Sequence, residues 1–175
     1  MIAAVDVQYG ETIAAAACVT FDAWPDASPS GELTVIVKGI EPHVPGELWR
    51  RELPCILAVL GTLDSPPELI IVDCYVWLDA HERPGLGAHL FEALQGRAPV
   101  IGVAKTAFRG SEHACAVRRG GSERPLYVTS RGISAADAAR GIAAMDGEYR
   151  LPTLLKRVDR LCRDALAARV THGSR

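Results

Sequence analysis

The sequence predicts an α/β protein with a mixed β-sheet, in which three antiparallel strands precede the parallel strands and helices flank the sheet. Three β-rich apolar stretches open the chain, at residues 2–9, 12–22 and 32–38, and short turn-forming segments separate them. Two later runs, 68–73 and 99–104, are nearly all apolar, which is typical of parallel strands covered on both faces. Helical stretches alternate with these runs, as in a mixed α/β sheet.

The remaining elements follow from helix and turn signals. A helical stretch begins at Pro45-Gly46 and ends near Gly61. Pro54 is expected to divide it into a short and a longer helix, because proline lacks the backbone donor that a helix interior needs. Ser134 is a good N-cap for an Ala-rich helix. Further elements are predicted as a helix at 85–95, short strands at 113–118 and 126–129, and a C-terminal amphipathic helix with a basic outer side.

Length and composition limit the class of protein. With 175 residues, 49% of them hydrophobic, the chain can bury one good core, and we predict a single domain over residues 1–175. Asp6 interrupts the first apolar run before a signal peptide or membrane span could form. The five cysteines are scattered and include no C-x-x-C pair, so neither a disulfide framework nor a zinc site is indicated. These features predict a cytoplasmic protein without a membrane partner.

The two halves of the chain carry opposite charge. Residues 1–99 hold 5 Lys and Arg against 14 Asp and Glu, whereas residues 100–175 hold 14 against 7. A drift of surface charge is the simpler interpretation. An acidic metal-holding cluster beside a basic phosphate-holding face is the functional one, and it is what a phosphodiesterase needs.

Two aspartates stand out because they interrupt apolar strands. Asp6 lies within the first strand and Asp73 at the carboxyl end of the 68–73 run, where ligands gather in open α/β sheets. An unpaired buried carboxylate is costly, so each needs a cation or a hydrogen-bond donor. Either one alone is most simply a loop cap or the partner of an arginine. Together they favour a hard cation, Mg²⁺ or Mn²⁺.

The order of the short motifs resembles the endonuclease V (deoxyinosine 3′ endonuclease) family over nearly the whole chain. Val5-Asp6-Val7-Gln8-Tyr9 is similar to its Val-Asp-Val-x-Tyr, and Leu69–Asp73 to its Leu-Ile-x-Val-Asp. The other similar motifs are Pro42–Gly46 with Arg51-Glu52, Gly102–Thr106, Pro125–Thr129 and Tyr149–Pro152. The resemblance implies a ribonuclease H-like fold and a nuclease that acts on inosine-containing DNA or RNA with Mg²⁺ or Mn²⁺.

The resemblance also implies roles for individual residues. Asp6, Glu52 and Asp73 would hold the metal, and Lys105 would lie near the scissile phosphate. His81 keeps the place of a family histidine near the site, although an ordinary surface histidine is nearly as good an interpretation. Only the family match selects Glu52 over Glu47. The residues expected to contact nucleic acid are His43, Val44, Pro45, Gly46, Arg83 and Arg131.

The chain departs from the family pattern in three places. His43 replaces the tyrosine that supports strand separation, and the bulkier Cys74–Leu78 replaces a Gly-His-Gly turn. Ser130–Ser134 stands where the family has Gly-His-Arg-x-Ser, so a histidine that would position metal or water is missing. A second hypothesis therefore stays open: a divergent relative, weakly active or inactive, that binds nucleic acid or a protein. A phosphotransferase is disfavoured because no phosphate-cradling glycine loop is present.

Overall fold

One mixed sheet of seven strands organises the protein. The computed structural model describes residues 1–42, 44, 46–108 and 110–172. The strands are β1 (Ile2–Tyr9), β2 (Ile13–Phe21), β3 (Gly31–Lys38), β4 (Leu69–Val72), β5 (Val100–Ala104), β6 (Cys115–Val117) and β7 (Leu126–Arg131). The helices are α1 (Leu48–Leu60), α2 (Leu86–Ala93), α3 (Ala135–Ala144) and α4 (Thr153–His172).

The strand order is β3-β2-β1-β4-β5-β7-β6. β1, β2 and β3 form an antiparallel meander, β4 and β5 then add parallel to β1, and β7 and β6 close the far side in antiparallel orientation. The predicted fold class, a ribonuclease H-like mixed sheet that opens with three antiparallel strands, is confirmed.

Helices cover both faces of the sheet and bury two separate apolar cores. α3 and α4 supply Ile142 and Leu154 to one core, whereas α1 and α2 supply Ile56 and Leu90 to the other. Successive residues of a strand point to opposite faces, so each central strand contributes to both cores. Which side chains meet α4 and which meet α1 is therefore decided by strand register.

The predicted break at Pro54 is wrong, because α1 runs unbroken through that residue. Proline removes one helical hydrogen bond, which costs about 3 kcal/mol or more in a helix interior. Pro54 is exposed, and so is Arg50, whose carbonyl loses that bond. Water can therefore satisfy the freed carbonyl, while buried Cys55 and Ile56 anchor the second half of α1 to the sheet.

Two smaller expectations can also be compared with the structure. The Ser134 cap is confirmed, because its Oγ accepts the Asp137 backbone N–H at 3.1 Å. The strand expected at 113–118 is shorter, since a 3-10 turn at Ser111–His113 precedes β6.

All five cysteines are free thiols, and Cys18, Cys55 and Cys162 are buried. Among the described helices, none combines the length and apolar character that a membrane crossing requires.

Candidate functional site

Asp6 and Asp73 lie on neighbouring parallel strands, where β4 ends. Val5 in β1 is in register with Val72 in β4, so the next residue of each segment is an aspartate. β1 continues beyond this point in its pairing with β2, which leaves Asp6 within a strand and Asp73 at a strand end. The sheet register thus brings together the two carboxylates that interrupt apolar runs.

A gap of about 20 Å³ lies beside these two aspartates, beneath α4. Asp6, Asp73 and Lys105 supply its polar lining, and the remaining lining is aliphatic, including Leu151 and Leu155 at the start of α4. A space of this volume holds roughly one water molecule. It is correspondingly suited to a single small ion.

Lys105 follows β5 and brings a cation to the same place. Its Nζ donates a hydrogen bond to Asp73 Oδ2, and the two side chains form an ion pair. Burial alone would lower the pKa of Lys105, but the hydrogen bond and the charge of Asp73 raise it above its ordinary value. Lys105 is therefore a fixed positive charge at the carboxyl edge of the sheet.

Asp6 is short of compensating charge. Burial and, next, the charge of Asp73 raise its pKa from 3.8 to about 6, and the Val7 N–H bond at 2.9 Å only partly opposes this rise. Cys162 on α4 donates its thiol to Asp6 Oδ2 at 3.7 Å. A carboxyl group in this position gains from any cation that approaches it.

Glu52 reaches the same charge cluster from the opposite layer, because it lies on α1 rather than under α4. Burial and, next, the charges of Asp6 and Asp73 raise its pKa from 4.5 to about 8. In the absence of a bound cation, Glu52 therefore holds its proton at neutral pH. Its coupling to both aspartates places it in their neighbourhood, although it does not line the gap.

Asp159 is a further carboxylate that the sequence argument missed. It lies on α4 and acts electrostatically on both Asp6 and Lys105. Arg163 holds one of its oxygens at 2.9 Å, and 26% of the side chain is exposed. The available signal was an acid in a mainly basic amphipathic helix, three residues before Cys162, the residue whose thiol meets Asp6.

The donor chemistry suits a hard cation, although the side chains do not yet form a closed cage. Among the described residues, no group of three or more His, Cys, Asp or Glu side chains is arranged to hold a metal ion. Charge repulsion accounts for this, because the charge of Asp73 raises the pKa of both Asp6 and Glu52, while the Asp73 carboxylate itself is turned to Lys105. The carboxylate oxygens of Asp6 and Asp73 beside a small gap, with Glu52 nearby, are hard ligands of the kind that Mg²⁺ or Mn²⁺ prefers.

A cleft of about 610 Å³ opens on the other side of Asp73 and Lys105. Aromatic and aliphatic side chains, among them Trp49, Tyr75 and Phe108, form most of its wall, with Arg83 at the side. This volume lies within the usual range for sites that hold a small molecule or a base. The ion pair of Asp73 with Lys105 thus separates a small charged gap from a larger apolar cleft.

Hydrogen bonds fix the wall of the cleft. Tyr75 Oη donates to the Thr106 carbonyl at 2.9 Å and lies 3.3 Å from Ser111 Oγ. Val76 N–H donates to Thr129 Oγ1 at 2.8 Å. A Cβ on Gly102 would lie 2.4 Å from the Cys74 carbonyl oxygen, so only glycine lets this segment lie so close to the sheet. The bulky segment after Asp73, Cys74–Leu78, is therefore packed against the sheet and held there by hydrogen bonds.

The structure places some of the predicted nucleic-acid contacts at the cleft and others away from it. Gly46 and Arg83 line the cleft, and Val44 is exposed. His43 and Pro45 lie outside the described residues. His81 is in the exposed loop before Arg83, where its backbone N–H donates to Asp79 Oδ1 at 3.0 Å, and it does not line the cleft.

Arg131 lies away from the carboxylates. It pairs with Val100 at the start of β5, whereas Lys105 follows the end of that strand. Its guanidinium lies between the rings of Trp77 and Phe91, 5.2 and 4.7 Å from their centroids, and binds Glu92. The segment Ser130–Ser134, which differs from the family motif, therefore lies at the opposite edge of the sheet. A histidine in this segment would not face Asp6 or Asp73.

Comparison with known proteins gives one consistent family. The model of the endonuclease V family matches residues 1–141. Endonuclease V of Streptomyces coelicolor is 36% identical, over 94% of this chain and 78% of the relative. Endonuclease V of Streptomyces avermitilis is 35% identical, over 94% and 80%.

Solved structures agree in fold. The crystal structure of endonuclease V from Streptomyces avermitilis has a TM-score of 0.76 and 30% identity, covering 97% of this chain and 82% of that one. The catalytic domain of human endonuclease V has a TM-score of 0.80 with 21% identity, over 97% and 83%. Ciona intestinalis endonuclease V, solved with a 24mer DNA containing an inosine followed by a ribo-adenosine, has a TM-score of 0.74 with 20% identity, over 95% and 86%.

Proposed function

The chain belongs to the endonuclease V family, and from this premise we propose that it is a divalent-metal-dependent endonuclease. It hydrolyses a phosphodiester bond near inosine or another altered base in DNA or RNA and leaves 3′-hydroxyl and 5′-phosphate ends. The observation that carries the proposal is that Asp6 and Asp73 directly follow the register partners Val5 and Val72 on neighbouring strands, with Lys105 paired to Asp73. The whole chain, residues 1–175, is proposed to act as one domain.

Asp6, Glu52 and Asp73 are the proposed ligands of Mg²⁺ or Mn²⁺, and Asp159 is a further candidate because its charge acts on Asp6. When bound, the ion would supply a Lewis acid for the phosphoryl oxygen and lower the pKa of a water molecule. Because Asp6 and Glu52 have raised pKa values of about 6 and 8, binding must displace protons. Metal affinity is therefore expected to rise with pH.

Lys105 is proposed to hold the scissile phosphate. Its ammonium group is fixed at the sheet edge by Asp73, and a phosphate oxygen can take the place of that carboxylate. If a metal ion engages Asp73, Lys105 loses its partner and becomes free for the substrate. The ion pair thus keeps a phosphate-binding cation in position in the unbound protein.

The apolar cleft is proposed to take the altered base. Trp49, Tyr75 and Phe108 offer ring surface for stacking, while Arg83 and the segment around Gly46 line the approach. The segment after Asp73 is bulkier than the family's glycine-rich turn, so the choice of base can differ from inosine. His81 and the segment 43–46 remain proposed contacts at the rim.

The alternative is a weakly active or inactive relative that binds nucleic acid or a protein. One observation favours it: the described side chains include no preformed group of three metal ligands. On that view the carboxylates would stay protonated or paired with Lys105, and the cleft alone would act as a binding module.

One experiment separates the two proposals. The wild-type chain and Asp73→Asn are incubated with a labelled inosine-containing oligonucleotide in Mg²⁺, in Mn²⁺ and in EDTA, and cleavage and binding are measured. Asp64→Asn is the matched control, because Asp64 is exposed in the turn between α1 and β4. The nuclease proposal expects metal-dependent cleavage that Asp73→Asn alone abolishes. Binding without cleavage by the wild-type chain would support the alternative.

A further inference from the structure

An exposed tyrosine with cations around it lies between α3 and α4, outside both the gap and the cleft. The group consists of Tyr149, Arg150, Lys156 and Arg160 and is called the Tyr149 platform here. Tyr149 is 64% exposed, an unusual position for a large ring. Lys156 Nζ lies 3.9 Å from the ring centroid, so the lysine covers one face of the ring.

The backbone beneath this ring is firmly held. Arg119, in the loop between β6 and β7, donates to the carbonyl oxygens of Tyr149 at 3.3 Å and Gly147 at 3.4 Å, and also to that of Met145. Gly120 has φ +60, and a Cβ there would lie 2.3 Å from the Tyr149 carbonyl carbon. The ring is thus presented to solvent on an anchored backbone, which reduces the entropy lost when a ligand binds.

The Tyr149 platform lies at the same edge of the sheet as the carboxylates. Ala104 pairs with Tyr127, and Val117 pairs with Leu126, so the loop that carries Arg119 leaves the sheet where Lys105 does. Leu151 lines the gap with Asp6 and Asp73. Tyr149 is two residues from Leu151, a span of at most about 7 Å. A nucleic-acid strand bound across the gap would therefore also pass the Tyr149 platform.

Charge makes the platform suitable for phosphates. Within the described part of the chain, Arg150 and Lys156 have no carboxylate at salt-bridge distance, whereas Arg157 is committed to Glu32 through two hydrogen bonds of 2.6 and 2.7 Å. Arg160 makes only an exposed contact with Asp164, at 3.6 Å. Tyr149, Lys156 and Arg160 line a surface groove together with two acids: Asp146, which accepts a hydrogen bond from Thr153 Oγ1 at 2.6 Å, and Glu148, which is exposed.

We propose that the Tyr149 platform binds the single nucleic-acid strand within a few nucleotides of the scissile phosphate. One base stacks on the ring face that Lys156 leaves open, and backbone phosphates pair with Lys156 and Arg160. Base–aromatic stacking accepts any base, so the platform adds affinity without sequence preference. The inference rests on the proposed function, because it needs a strand that crosses the neighbouring site.

The test is fluorescence anisotropy with a labelled single-stranded oligonucleotide, with and without inosine, in EDTA so that the strand stays intact. Tyr149→Ala is expected to weaken binding roughly 5-fold or more, because one stacked base is lost, whereas Tyr149→Phe keeps the ring and wild-type affinity. Lys156→Gln should reduce the slope of log Kd against log salt by about 0.7. Arg97→Gln, which removes an exposed cation at the opposite edge, is the matched control and should leave that slope unchanged.

The outcomes distinguish this inference from the proposed function. If the wild-type chain binds the oligonucleotide but Tyr149→Ala and Lys156→Gln stay within 2-fold of it at every salt concentration, the Tyr149 platform is not a binding surface. A wild-type chain that neither binds nor cuts any strand would contradict the proposed function and this inference together. Unchanged thermal melting of the four variants shows that the measured differences are not unfolding.

Discussion

The small gap and the cleft meet at Asp73 and Lys105, yet they are built differently. Near the gap, burial and the charges of Asp73 and Asp159 raise the pKa of Asp6, and burial and the charges of Asp6 and Asp73 raise the pKa of Glu52, so the negative charge of this region is incompletely balanced. Around the cleft, the Tyr75 hydroxyl and the Val76 backbone N–H are hydrogen-bonded to neighbouring segments, so these polar groups of the wall already have partners. The first region has an excess of negative charge, and the second has a preformed shape. Changes at the gap should therefore alter chemistry, whereas changes at the cleft should alter shape and stability.

The largest effect is expected at the gap. Asp6→Asn removes a proposed ligand and should lower kcat by about 100-fold or more, the scale seen when one group that stabilises the transition state is removed. Because the same change removes an unbalanced carboxylate, the metal-free variant should melt at a higher temperature than the wild type. Cleavage assays and thermal melting in EDTA measure both. Loss of activity together with a lower melting temperature would mean that Asp6 serves mainly the fold.

At the cleft, Gly102→Ala should act through shape. The added Cβ would collide with the Cys74 carbonyl oxygen and the Val76 nitrogen, which are only 2.4 and 2.8 Å away, so the docked segment must shift. Overpacking of this kind costs about 1–3 kcal/mol. Urea unfolding should show that loss, and binding of an inosine oligonucleotide should weaken while Mn²⁺ affinity stays within about 2-fold. An equal loss of Mn²⁺ affinity would show that the two regions are not separable.

The pH dependence of stability tests the charge imbalance. The pKa values of Asp6 and Glu52 are raised from 3.8 and 4.5 to about 6 and 8. A carboxyl group with a raised pKa in the folded state stabilises most at low pH, and that contribution is lost as pH rises through the folded value. In EDTA, the melting temperature should therefore fall between about pH 4 and pH 8, and Glu52→Gln should flatten the upper part of that fall. A melting temperature that rises over the upper part would contradict the account.

The smallest effect on activity is expected for Arg131. Because it lies at the opposite edge between Trp77 and Phe91, Arg131→Gln should change cleavage by less than about 3-fold. It should nonetheless lower stability, since the guanidinium bridges two rings and Glu92. Cleavage rates and urea unfolding distinguish these effects. A large loss of cleavage in a fully folded variant would instead indicate that Arg131 contacts nucleic acid.

The sequence predicts the gap better than the cleft, and the physical reason is register. Asp6 and Asp73 can be recognised because a charge in an apolar strand is anomalous, and parallel neighbours place such residues side by side. Asp159 was missed because helix periodicity does not say which strand a given helix position will face. The docking of the segment after Asp73 depends on a distant glycine, Gly102, which no local pattern connects to it.

Pro54 shows the same limit for a helix. Local propensity predicted a break there, but Cys55 and Ile56, directly after the proline, are buried, and this tertiary packing overrides the local preference. Whether α1 breaks at Pro54 therefore depends on its packing against the sheet, which the local sequence does not show.

The most direct test of the metal site is anomalous diffraction from crystals of the wild-type chain soaked in Mn²⁺. We expect a manganese peak in the gap, with carboxylate oxygens of Asp6 and Asp73 about 2.2 Å from the ion and Lys105 released from Asp73. A peak elsewhere, or none in a crystal whose gap is open to solvent, with Lys105 still paired to Asp73, would contradict this expectation.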